Sequence, residues 1–378
     1  MSALLFTPLT LRGLTLRNRV VISPMQQHCA EDGLANDWHM VHYGKFAMGG
    51  AGLVIVESTA VGPVGMSGHD DLGLWRDDQE AALAPIVRFA HQQGAAIGLQ
   101  LCHAGRKAGT TTFWKGGGVL TPDQMRALSP PWERVAPSAI ACAPGWSAPR
   151  ALTMPEMADI CSQFVAAAQR ADRLGFDVLE LHGAHGYLLA SFLSPLSNVR
   201  NDRYGGSLEN RMRFPLEVAA AVRAVWPARK PLLCRISVVD GGGDKGWREE
   251  DSVVYARALA QAGVDVIDCS SGGLSESPTP LARGLGFQVP FAERIRREAG
   301  VPVQAVGFIL DGPQAEAILQ AGQADLIAIG REAYDDPYWA HHAARALGAE
   351  NDFAAWPRAH GAWLRKRAPM MEEIKRTM

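Results

Sequence analysis

Short runs of aliphatic and β-branched residues recur along the chain, separated by longer stretches whose apolar positions repeat with helical period. Eight runs stand out: residues 19–24, 51–58, 95–101, 176–182, 231–237, 264–270, 301–307 and 325–330. They are nearly continuous in apolar residues, as strands covered on both faces of a parallel sheet are, rather than alternating as half-exposed strands do. Helix-period segments lie between them at 77–94, 155–175, 208–226, 248–263, 290–300 and 312–322, several ending in a glycine shortly before the next strand, the helix-stop chemistry of a left-handed cap. Eight strands alternating with helices predict a (β/α)8 TIM barrel. A dinucleotide-binding sheet would instead need a GxGxxG turn after an early strand, and the chain has none there.

No Gly/Ser linker or charge run divides the chain, so one domain over 1–378 is expected, with a C-terminal tail from about 351. Two segments exceed what a barrel needs. Residues 5–19 hold two short extended pieces around Arg12-Gly13, which predicts a hairpin capping the bottom of the barrel. Residues 104–150, rich in Gly, Pro and Trp, form a long loop after the third strand, where it would sit over the barrel mouth. Its Trp114, Trp132 and Trp146 read as loop packing.

Charge narrows the functional classes. With 37 Lys+Arg against 39 Asp+Glu the net charge is −2, too little basic excess to neutralise a phosphate backbone or an anionic lipid surface, so neither nucleic acid nor membrane is an expected partner. The 47% hydrophobic and 20% charged composition is that of a globular chain with a large core. The first twelve residues lack a secretory pattern and no run of eighteen apolar residues occurs, so the cytoplasm is the expected location. Six cysteines without a CxxC pair read as free thiols, with no metal site expected.

Barrel enzymes place their chemistry at the C-terminal ends of the strands. Here those ends are polar: Ser23-Pro24-Met25-Gln26, Glu57-Ser58-Thr59, Gln100 with His103, His182 with His185 and Tyr187, Arg235, Ser270-Ser271, Gly307, and Gly330-Arg331. Glycines ending strands seven and eight suit a phosphate held by backbone N–H groups, or are simply tight turns. Arg235 lies within an apolar run, so it either pairs with a core carboxylate such as Glu180 or Asp268 or faces an anionic cofactor or intermediate. His182, His185 and Tyr187 leave one strand end together. Two ring N–H groups can polarise a carbonyl or nitro oxygen, and a neutral phenol can give a proton to carbon; alternatively, the three are structural.

Taken together, several motifs resemble the Old Yellow Enzyme family of flavin-dependent ene-reductases, in its thermophilic-like subclass. They are Leu16-Arg17-Asn18-Arg19 with Ser23-Pro24-Met25, the Gln100–Lys107 stretch QLCHAGRK, the His182–Leu188 stretch HGAHGYL, Tyr204-Gly205-Gly206-Ser207 and Gly330-Arg331. The resemblance covers nearly the whole chain and implies a noncovalent FMN at the barrel mouth, NADPH or NADH as reductant, and hydride delivery to an activated alkene. By the same resemblance, Ser23, Pro24, Met25, Ala60, Gln100 and Arg235 match positions that hold the flavin ring, and Gly307, Gly330 and Arg331 those that hold its phosphate. His182 and His185 match the pair that binds the substrate's activating oxygen, and Tyr187 the proton donor.

Two positions depart from the subclass, which carries cysteine where Gln26 stands and tyrosine where His28 stands. Gln26 is expected to reach the flavin's carbonyl edge through its amide, and His28 to alter which substrate is accepted. The stretch around Trp363 and Arg365 resembles a tail that reaches a neighbouring subunit's site, which implies a homodimer or a tetramer built from dimers. A flavin dehydrogenase or demethylase acting on a saturated substrate is the alternative on the same scaffold, and a phosphate-binding lyase or isomerase is the alternative from another class. The second needs a Schiff-base lysine or a carboxylate base at a strand end, for which only Glu57 is placed.

Overall fold

The computed structural model describes residues 3–128, 131–275 and 283–377. Positions 129–130 of the long loop and the extreme termini of the expected domain lie outside the described residues. Eight parallel strands form the centre: β1 (Val20–Ile22), β2 (Leu53–Ala60), β3 (Ala96–Cys102), β4 (Val178–Gly183), β5 (Leu232–Ser237), β6 (Val266–Ser270), β7 (Val303–Val306) and β8 (Leu326–Ile329). Each pairs with the next in chain order. The sheet closes on itself through Ile327 against Val20 and Val21 against Leu53. The expected barrel is the observed one, with strand ends displaced by one or two residues.

Helices α1 (Asp37–Met48), α2 (Asp77–Gln92), α3 (Met154–Leu174), α4 (Leu208–Val225), α5 (Glu249–Gln261), α6 (Val289–Ala299) and α7 (Gly312–Gln320) follow strands one, two, three, four, five, six and seven respectively. The apolar pattern does not announce α1, because His39, His42 and Tyr43 occupy its buried face where aliphatic residues normally sit.

The hairpin Leu9–Leu11/Leu14–Leu16 closes the N-terminal end. Its Leu11 and Leu16 join Val21, Leu53, Ile55, Val178, Leu233, Val266 and Leu326 in a cluster inside the barrel floor. Because side chains two apart in a strand share a face, the inward series can be followed upward: Val178, Glu180, His182 on β4; Leu233, Arg235, Ser237 on β5; Val266, Asp268, Ser270 on β6. The interior thus changes from apolar at the floor to charged in the middle and hydrogen-bonding at the rim. That gradient places the site.

The 104–150 segment is built from short pieces, Gly105–Lys107, the Thr110–Thr111/Gly118–Val119 hairpin, Pro122–Arg126 and the Val135–Ala136/Arg150–Ala151 pair. Arg134 ties it together, donating to the carbonyls of Ala108, Gly109 and Leu120 and to Ser147 Oγ at 2.6–3.0 Å. Trp132 is buried and stacks on His69, while Trp114 is half exposed, in an edge-to-face arrangement with His28 and ring centres 5.7 Å apart. No helix among the described residues is long and apolar enough to cross a membrane.

Candidate active site

A cavity of about 420 Å³ opens at the C-terminal ends of β1 and β5–β8. Ser23, Pro24, Met25, Arg235, Gly307, Gly330 and Arg331 are in its wall, together with Ser270, Phe287, Gln288 and Phe308. Gly307 has φ +117, and a Cβ there would lie 2.8 Å from Gln288 Nε2 and 3.0 Å from the Phe287 ring, so the wall needs glycine at this point. The Arg331 guanidinium lies 5.1 Å from the centre of the Phe308 ring, giving the same end of the cavity a cation.

Arg235 is the link between cavity and core. Its Nη1 donates to Ser23 Oγ at 3.1 Å and its Nε lies 3.4 Å from Asp268 Oδ2, so the core carboxylate and the cavity share one guanidinium. Deeper, Gln100 Nε2 donates to Glu180 Oε1 at 2.7 Å. Burial raises Glu180 to about 8, with Asp268 adding to the rise and Arg235 opposing it, and burial likewise raises Asp268. One carboxyl of this neighbouring pair therefore keeps its proton near neutral pH, and Arg235 compensates the other. Gln100 is thus occupied below the cavity, in the charged layer.

On β4 and the turn after it, His182 and His185 stand with ring centres 5.3 Å apart, and Tyr187 lies edge-on to His182 at 4.6 Å. His182 Nδ1 accepts the Ala184 N–H at 3.3 Å, which leaves the proton on Nε2. His185 has φ +57, its N–H donates to Ser237 Oγ at 2.9 Å, and its Nε2 is 2.7 Å from Ser270 Oγ in the cavity wall. Burial, then the charge of Arg235, lowers His182 to about 3 and holds His185 well below its ordinary value. Both rings are neutral at pH 7, and each can serve as a hydrogen-bond donor without being an acid.

The remaining expected site residues are distributed as follows. Gln26 Oε1 accepts from Tyr187 Oη at 3.3 Å, and its Nε2 donates to Ser67 Oγ at 3.0 Å. His28 Nδ1 lies 2.8 Å from Asp71 Oδ1. Ala60 is buried with Met66, Met125 and Trp132 at the end of β2 and is not in the cavity wall. Trp363 is 71% exposed on the helix Arg358–Thr377 and is not in the wall of this chain's own cavity. Glu57 is fully buried behind β2, where it accepts from the Gln27 N–H at 2.6 Å and from Tyr43 Oη at 2.9 Å, and burial pushes it to about 8. It is a satisfied core group, not a base at the mouth.

Residues 4–350 match the model of the NADH:flavin oxidoreductase / NADH oxidase family. The chain belongs to that family. It is 45% identical over 352 residues to an NADPH dehydrogenase of Geobacillus thermodenitrificans (strain NG80-2), covering 93% of this chain and 96% of the relative. An NADPH dehydrogenase of Bacillus subtilis (strain 168) is 43% identical over 352 residues, covering 93% and 97%. A structure of morphinone reductase in complex with tetrahydroNAD superposes with a TM-score of 0.74 at 30% identity, covering 92% of this chain and 91% of that one. The resemblance to Old Yellow Enzymes therefore holds. The protein is an NAD(P)H-dependent flavin oxidoreductase whose cofactor is FMN, and the lyase or isomerase alternative drops out.

The cavity of this flavin oxidoreductase fits FMN on its own observations. Arg235, with its Nη1 on Ser23 Oγ, puts one cation in the wall, Gly307 brings a backbone position without a side chain to the end of β7, and Arg331 offers a second cation beyond it. Sequence reasoning named Ser270 only as a strand end, and it missed Ser67 and Asp71, which tie Gln26 to His28. Both lie in the loop after β2, whose composition resembles any other loop. Nothing in the one-dimensional pattern points to them.

Proposed function

We propose that this flavin oxidoreductase is an ene-reductase, reducing C=C bonds activated by a carbonyl or nitro group at the expense of NADPH or NADH. FMN, when bound, supplies the hydride chemistry. The chain's own residues bind, orient and protonate. The reading is carried by one observation: two neutral imidazoles and a phenol gathered at the end of β4, next to a cavity with a fixed cation.

Neutral His182, with its proton on Nε2, donates a hydrogen bond to the activating oxygen of the substrate, and His185, with Ser270 Oγ donating to its Nε2 and its own proton on Nδ1, stands as the second donor. Negative charge grows on that oxygen as the double bond is reduced, so donors fixed in advance lower the barrier; removing one such donor costs about 3 kcal/mol. Tyr187 then gives its phenolic proton to the α-carbon, and the phenolate left behind is reprotonated from solvent. Arg235 holds positive charge against the FMN side of the cavity while its other edge stays on Asp268. His28, near the Tyr187 side through Gln26, affects which ring or oxygen is accepted. Trp363, with Met370 and Ile374, forms an exposed apolar stripe on the last helix that would meet a second copy in a homodimer or dimer-based tetramer, to be checked by light scattering.

The test is anaerobic. Enzyme reduced with NADPH is mixed with cyclohex-2-enone or a nitroalkene in D2O, and the product is analysed. The expected outcome is a saturated product with deuterium at the α-carbon, and a fall of about 10²-fold or more in that step for Tyr187→Phe, the contribution of a positioned general acid. Reduced enzyme inert to every activated alkene, with oxidised enzyme bleached by a saturated substrate, would replace this reading with the dehydrogenase.

A further inference from the structure

The two positions at which this chain departs from its subclass are joined in space. Tyr187 Oη donates to Gln26 Oε1 at 3.3 Å, Gln26 Nε2 donates to Ser67 Oγ at 3.0 Å, Ser67 Oγ donates to Asp71 Oδ2 at 2.6 Å, and Asp71 Oδ1 meets His28 Nδ1 at 2.8 Å. Asp71 is 1% exposed and also accepts the N–H groups of Ser67 and Gly68 at 2.7 and 2.9 Å. We propose that His28 is a positioning residue for Tyr187, acting through Asp71, Ser67 and Gln26, and that its charge state sets how readily the phenol gives up its proton. This rests on the reading of Tyr187 as proton donor.

The directions of the hydrogen bonds are what carry the argument. Asp71 has only acceptors, so Ser67 must donate to it and is left to accept from Gln26. The Gln26 amide is thereby oriented, with its carbonyl toward the protonated phenol. When Tyr187 loses its proton, a carbonyl oxygen facing a phenolate is repulsive, and the amide is relieved by turning its NH2 group to Tyr187. Ser67 must then donate to Gln26 instead of Asp71. Asp71 tolerates that loss while it keeps its two backbone donors and a protonated His28, and tolerates it less when His28 is neutral. A cation at position 28 therefore favours the phenolate end of the step, in which the Tyr187 O–H bond breaks, a C–H bond forms at the α-carbon and the phenolate later regains a proton from solvent.

The surroundings of His28 set its titration. Burial lowers it, but the hydrogen bond and charge of Asp71, with Glu57 and Asp70, outweigh that and raise it above its ordinary 6.5. Asp70 is itself bridged to Lys115 at 3.0 Å, and the edge of Trp114 closes the remaining side. A cysteine at 26 and a tyrosine at 28 could not make this chain, since the thiol has no amide to present opposite faces and the phenol stays neutral where an imidazole changes charge.

The test is the pH profile of the oxidative half-reaction with cyclohex-2-enone in wild type, His28→Asn and Asp71→Asn, alongside NMR of ¹³Cζ-tyrosine in the oxidised holoenzyme. Wild type should show a limb that falls as pH rises, centred above 6.5, with a loss of about tenfold, one net hydrogen bond's worth. His28→Asn should abolish that limb and raise the Tyr187 phenol titration, and Asp71→Asn should move the limb to lower pH. An identical limb and an unmoved Tyr187 resonance in His28→Asn would overturn the inference. Should Tyr187→Phe leave the half-reaction unchanged, the proton-donor reading falls as well. A slow Tyr187→Phe with an unaltered His28→Asn profile removes only the present proposal.

Discussion

Acidification from pH 7 to pH 5 should destabilise this barrel by an amount the structure allows to be worked out. Six buried or partly buried histidines are held neutral in the fold. Burial lowers His39, His103 and His341 to about 4 and His42 and His182 to about 3, and it holds His185 well below its ordinary value. In the unfolded chain each titrates near about 6.5, so unfolding takes up protons that the fold refuses. Stability present above that value is therefore lost as pH falls toward the folded values. Over this interval each histidine costs about 2 kcal/mol, about 11 kcal/mol for the six. Glu57 and Glu180, raised to about 8, act in the opposite sense: they are protonated in the fold and ionised when unfolded down to their ordinary 4.5. Each returns about 2.5 kcal/mol over the same interval. The net loss is about 6 kcal/mol, a large part of the roughly 5–15 kcal/mol typical of a folded domain. His28, raised, adds a smaller contribution on the side of the glutamic acids. Urea unfolding followed by circular dichroism at pH 7, 6 and 5 measures the loss. A dye that reports proton uptake should show about four protons bound per molecule unfolded at pH 5.5. Stability flat to within about 1 kcal/mol across this range, or no net proton uptake, would refute neutral buried histidines as the source.

Arg235→Met should lower stability by about 3–5 kcal/mol by leaving buried Asp268 without its cation, and it should weaken FMN retention, measured by urea unfolding and by flavin release on a desalting column. Gly307→Ala should cost about 1–3 kcal/mol and reduce FMN affinity in a fluorescence titration, since its φ of +117 and the 2.8 Å approach to Gln288 leave no room for a methyl group. Arg134→Ala removes the donors that tie the 104–150 segment to itself, so trypsin should cut at Lys115 or Arg126 far sooner while the barrel's melting temperature stays nearly unchanged.

The strands, six of the helices, the floor hairpin and the polar strand ends were legible because each is written in local periodicity: continuous apolar runs, helical repeats ended by glycine, and a polar residue where a run stops. Helix α1 was not, since its buried face is made of His39, His42 and Tyr43, residues that look polar in sequence and become core only when Glu57 and Tyr334 pack beside them. Arg235 shows the limit from another side. Its apolar context allowed either a core carboxylate or a cofactor as partner, and the fold gives it Asp268 on one edge and Ser23 in the cavity on the other. Gln26 and Gln100 were expected at the flavin, yet in this structure the first is engaged by Tyr187 and Ser67 and the second by Glu180.

The sequence by itself determined the barrel, the end of it at which chemistry collects, and the residue types available there, because strand pattern and the period of two are local properties of the chain. Tertiary structure alone decided which polar groups meet. Asp71 and Ser67 reach Gln26 from another strand's loop, Asp268 meets Arg235 from the neighbouring strand at the same level of the barrel, and Ser270 reaches His185 across the mouth, at separations of 41 to 85 residues for the hydrogen-bonded contacts Gln26–Ser67 and His185–Ser270. Hydrogen bonds and proton affinities depend on distance and burial in space, and a linear order of residues carries neither.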